Sequence, residues 1–188
     1  MTRVMRRLLL SGFALAAVGA AVAMASTPTS TGSARSDQAA VVAYRAGPLQ
    51  RLISQVGSLV VYQIKPALAD VNTGKLPPQR FTYQAAGWKA NIALAQRQFD
   101  ACTPPGPVRA AAVLYDQALK QYQQAMQAFG SAASVPRAHR VAAMHSAAQL
   151  ANAADVVWNR ADADLDQVLH GYGVDTKKPV MPSTALTC

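Results

Sequence analysis

The chain has 188 residues and carries 18 basic against 9 acidic side chains, a formal net charge of +9, and the acids are all aspartates. The complete absence of glutamate excludes a di-iron carboxylate bundle, which needs Glu-x-x-His pairs on facing helices. No C-x-x-C-H haem-attachment site and no G-x-S-x-G nucleophile elbow occurs either, so covalent haem and hydrolase-type nucleophilic catalysis are not indicated.

The N-terminus, MTRVMRRLLLSGFALAAVGAAVAMAS, places three arginines before an apolar run from Leu8 that ends in Ala23-Met24-Ala25, a small-residue cleavage site ahead of Ser26. That layout predicts a secretory signal peptide over residues 1–25. Two other readings use the same residues. The run is about as long as the shortest spanning helix, which would make it an uncleaved anchor, and Arg6-Arg7 admits twin-arginine export. No cysteine follows the run to carry a lipid. Cleavage would leave 163 residues, enough for a single core, with no transmembrane segment, fifteen basic and nine acidic residues and a charge of +6.

Residues 26–35, STPTSTGSAR, lack an apolar period and predict a disordered linker. A first helix is expected from Ser36 to about Asn72. Its stripe is Leu49, Ile53, Val56, Val60, Ile64, Ala67 and Val71, closed by Gly74 in the left-handed conformation. Gly47-Pro48 and Pro66 should kink or break it, because each proline removes a backbone hydrogen bond. The second helix opens at Pro77-Pro78, and its stripe Phe81, Ala85, Trp88, Ile92, Ala95, Phe99 and Cys102 alternates steps of four and three, a bundle seam. After Pro107 the third helix repeats this with Val108, Ala111, Tyr115, Ala118, Tyr122, Ala125 and Phe129, and Gly130 is expected to stop it. The fourth starts near Ser134, carries Val141, Met144, Ala148, Ala151, Ala154, Trp158, Ala161, Leu165 and Val168, and ends at His170-Gly171. Strand signals are absent apart from LVVYQI, residues 59–64, whose flanks keep helical spacing.

Connections of about five residues predict antiparallel neighbours. The expected fold is therefore all-α: an antiparallel up-down-up-down four-helix bundle over residues 36–170, with long outer helices 1 and 4, a shorter helix 2-3 hairpin and an irregular C-terminal tail over 171–188. Helices 1 and 4 should project roughly 18 Å past the hairpin. The tail leaves helix 4 at that same end and is long enough when extended to reach the hairpin loop. A Cys102–Cys188 disulfide is expected, stapling the tail to the bundle in an oxidising, secreted or periplasmic compartment. Free thiols or an intermolecular bridge are the alternatives.

Few residues could carry chemistry. His139, His145 and His170 are not spaced three or four apart, so they do not stack as metal ligands on one helical face. Asp162, Asp164 and Asp166 begin like a calcium loop, but Gln167 stands where the turn glycine is needed and no glutamate closes it. No metal and no cofactor is expected. Tyr115, Tyr122, Met126, Met144 and His145 mark a candidate interior pocket, because helical bundles can hold haem between a Met and a His. The same residue types at seam positions are otherwise core. Lys75, Arg80, Arg137, His139 and Arg140 gather at the end opposite the expected disulfide, beside the N-termini of helices 2 and 4, as a candidate anion site.

In composition the chain resembles exported helical proteins of high-GC bacteria, rich in arginine and alanine with a signal peptide and a cysteine pair. No motif carries that likeness, and it implies no activity. The resulting expectation is an exported, non-catalytic bundle acting as a cell-envelope or secreted interaction module. Its partners would be an anionic envelope polymer, lipid headgroups or a protein, with no role for nucleic acid. The alternative is an extracytoplasmic carrier of haem, metal or a small apolar ligand.

Overall fold

A computed structural model describes residues 31–174 of the chain. The expected signal peptide, residues 26–30 and most of the expected tail, Cys188 included, lie outside the described residues. Within them the protein is all-helical, with no strand, and forms four helices.

The first is built from α1 (Thr31–Tyr44), α2 (Gln50–Leu59) and α3 (Lys65–Asn72), which follow one another through π-helical turns at Arg45–Leu49 and Val60–Ile64. It begins five residues before the expected Ser36, so residues 31–35 are helical rather than linker. The predicted break at the prolines is also absent. Gln50 N–H donates to Arg45 O and Lys65 N–H to Val60 O, each five residues back. Pro48 lies inside the first π turn, and Pro66 lies two residues past the end of the second. A proline ring collides with the carbonyl four residues before it, and a turn widened by one residue relieves that collision without ending the helix.

Each π turn also shifts the buried stripe. To the contiguous apolar core this segment contributes Val41, Tyr44, Leu49, Leu52, Val56, Leu59, Ile64 and Ala67, and the two steps of five fall on the π turns. Leu59 therefore takes the place that a step of four back from Ile64 assigns to Val60, while Leu52 and Ile53 both fit steps of three and four between Leu49 and Val56 and the buried one is Leu52; Ile53 and Val60 are only half-buried.

Gly74, at φ +76°, closes α3, and Lys75 and Leu76 N–H both donate to Asp70 O. The next helices are α4 (Pro78–Asp100), α5 (Arg109–Ser134) and α6 (Arg137–Gly171). Every residue of the expected α4 and α5 seams is buried. Hydrogen bonds Gln96–Asp116, Lys89–Gln127 and Thr82–Gly130 run down α4 as they run up α5, so these two are antiparallel. Tyr115–Asp162 and Tyr122–Asp155 give α5 and α6 the same relation.

Gly130 does not end α5. The helix continues to Ser134 and stops because Val135, held extended at ψ 145°, precedes Pro136. Gly130 lies inside the helix against α4: its carbonyl accepts from Thr82 Oγ1 at 3.2 Å, and a Cβ there would make ordinary contact, at 3.8 Å, with that of Ala85. Val141, expected in the α6 stripe, is 81% exposed, while Ala147 and Leu169 are buried. Gly173, at φ +67°, follows α6 and lets Val174 N–H reach Leu169 O at 2.9 Å.

Candidate functional site

The 73–77 connection ends against the first turns of α4 and α6, and a half-open cleft of about 460 Å³ lies between them. Its walls include Val71, Leu76, Pro77, Val141 and Met144, with Arg137 and Arg140 as its charged groups. Helical spacing explains the arrangement. Arg137 and Val141 are four apart, as are Arg140 and Met144, so each cation has an apolar neighbour one turn on. Met144 is buried and Val141 exposed, so the apolar surface runs from the core out to the rim.

Arg140 Nη2 donates to Val135 O at 3.1 Å, while its Nε is buried without an acceptor. No side chain caps the first turn of α6. A helix N-terminus carries partial positive charge, and two guanidinium groups add to it. Of the five residues expected to gather here, Arg137 and Arg140 line the cleft. Lys75, Arg80 and His139 are exposed and are not among its lining residues.

The expected interior pocket is not assembled as a unit. Tyr122 and Met126 border a space of about 130 Å³ beside Ile64, Phe129 and Ala151, below the roughly 300 Å³ at which ligand pockets begin. Met144 belongs to the end cleft. His145 is exposed, its Nε2 lying 3.3 Å from Gln149 Nε2 on its own helix.

Aromatic packing fills the interior instead. Trp158 stands edge-on to both tyrosines, with ring centroids 5.0 Å from Tyr115 and 6.2 Å from Tyr122. The Tyr115 hydroxyl donates to Asp162 and the Tyr122 hydroxyl to Asp155. Burial, then the neighbouring carboxylates, raise both phenols far above their ordinary value. Burial likewise raises the Asp162 carboxyl, opposed by the hydrogen bond from Tyr115. The two tyrosines are seven residues apart on α5 and the two aspartates seven apart on α6, with Trp158 between the aspartates. That matched spacing is the one signal in the sequence for this ladder.

No family model, no curated protein and no solved structure matches the chain.

Among the described residues no group of three or more His, Cys, Asp or Glu side chains is placed to hold a metal ion. His139, His145 and His170 are all exposed. No described helix is long and apolar enough to cross a membrane. Cys102, at the hairpin end, is buried and is not a free thiol. Its expected partner Cys188 lies outside the described residues.

Proposed function

We propose that this protein is an exported, non-catalytic interaction module that presents a basic pole to an anionic component of the cell envelope. The signal-like N-terminus supports export, and the surplus of basic residues that remains without it supports attraction to anions. In this reading the helices form an up-down-up-down bundle whose long outer members overhang the α4–α5 hairpin. The exposure of all residues from 33 to 40 supports that overhang. A Cys102–Cys188 bond ties the tail to the same end. Intact mass without reductant tests the bond: the exported chain should be lighter by two hydrogens than after reduction, and equal masses would reject it.

One observation carries the functional reading: Arg137 and Arg140 line a cleft between the first turns of two helices, and the Arg140 Nε has no acceptor. Long-chain inorganic polyphosphate is a suitable probe. Arg137→Ala combined with Arg140→Ala should weaken its binding at least tenfold, and binding to the unaltered protein should fall as salt rises. Equal affinity of the two proteins would remove the basic pole as a site.

A further inference from the structure

The structure points to a narrower ligand for this cleft, an inference that rests on the basic-pole reading. We infer that the pole docks on a bilayer of anionic lipid, with a phosphate head group on Arg137 and Arg140 and Val141 entering the interface.

Both kinds of surface at the cleft favour an amphiphile. A soluble polyanion would engage the two guanidinium groups and leave the exposed Pro77 and Val141 and the half-buried Leu76 facing water. A lipid covers both. Arg137 and Arg140, three residues apart on α6, present their donors from neighbouring positions to one phosphate. The Nη2 of Arg140 is held by Val135 O, which fixes that guanidinium at the cleft wall. Val141 is a large apolar side chain 81% exposed, one turn beyond Arg137 on the same face. Lys75, Arg80 and His139 are exposed on the adjoining first turns and connection. Basic residues around an apolar tip suit the interface of an anionic membrane, where each cation near the surface adds to affinity and apolar side chains sink into the headgroup boundary. The absence of a membrane-crossing helix among the described residues fits attachment from one side.

A site-specific readout in the full chain tests this. With Val141→Trp, the emission added over that of the unaltered chain, which already carries Trp88 and Trp158, should shift to the blue on vesicles containing phosphatidylglycerol and not on pure phosphatidylcholine. Adding Arg137→Ala and Arg140→Ala should raise the lipid concentration for half the shift roughly thirty-fold. Val141→Ser in the otherwise natural chain should weaken phosphatidylglycerol binding roughly tenfold and leave polyphosphate binding unchanged. Free inorganic phosphate should compete poorly, because it offers nothing to the apolar wall. Arginine-dependent polyphosphate binding without the indole shift would overturn the lipid assignment and leave the basic pole standing. Loss of both would overturn both, and equal shifts on the two kinds of vesicle would overturn the head-group contact. Circular dichroism of each variant separates misfolding from lost binding.

Discussion

Above about pH 10 the protein is expected to lose stability steeply, by about 4 kcal/mol per pH unit, from three buried phenols. Tyr44, Tyr115 and Tyr122 are each nearly inaccessible, and burial raises all three well above the ordinary tyrosine value. The Tyr44 hydroxyl has no hydrogen-bond partner, so nothing there supports its ionised form. The unfolded chain releases these protons near pH 10 while the folded chain keeps them. The native state then binds three more protons, and stability present below pH 10 is lost as pH rises, at about 1.4 kcal/mol per unit per tyrosine. With a total of roughly 5–15 kcal/mol available, unfolding should come within a few units. Urea unfolding followed by helical dichroism from pH 8 to 12 measures the slope, and Tyr122→Phe should reduce it by about a third. Ionisation of all six tyrosines with helicity intact would contradict the account.

Tyr115→Phe should cost about 1–3 kcal/mol at neutral pH, because it strips the half-buried Asp162 carboxylate of a donor. The sign with pH follows from the raised folded value of Asp162. The native state favours the protonated acid, so this group's contribution is most favourable below the ordinary carboxylate range and declines as pH rises through the folded value. The Tyr115 bond opposes that decline, and its removal should therefore hurt more at pH 7 than at pH 4. Asp162→Asn keeps an acceptor and removes the charge. In that background Tyr115→Phe should cost less, with a coupling of about 1 kcal/mol in a double-mutant cycle. A cost that is additive and independent of pH would show that the pair only fills space.

How legible each part was depends on whether it is set along one helix or between several. The α4 and α5 seams could be read residue by residue because both are regular α-helices, where 3.6 residues per turn makes steps of three and four a direct record of the buried face. The same rule misplaced Val60 because the π turn over 60–64 inserts a residue before Ile64, and it could not choose between Leu52 and Ile53 because both fit steps of three and four between Leu49 and Val56. The rule counts residues, whereas the core selects by angle. Gly74 showed its role as a helix stop because Thr73-Gly74-Lys75 contains nothing that continues the stripe. Gly130 did not, because a glycine inside a helix looks like a helix stop until the residues packed against it, Ala85 and Thr82, are known.

The candidate site divides along the same line. Helix order placed Lys75, Arg80, Arg137, His139 and Arg140 near one end, but which of them border a cleft depends on how α6 is turned relative to the 73–77 connection. The Tyr115–Asp162 and Tyr122–Asp155 partners, 47 and 33 residues apart along the chain, depend on the register between α5 and α6.

By itself, the amino-acid sequence determined an all-helical chain of four helices, their boundaries to within a few residues, and the buried faces of α4 and α5, because these follow from local backbone geometry and apolar spacing. Only the tertiary structure decided that the first helix passes Pro48 and Pro66 by way of π turns at or just before them, that Val141 faces solvent, and that phenols and tryptophan fill the interior. Those outcomes depend on what stands across from each side chain, and burial against a neighbouring helix is not written in the spacing of one.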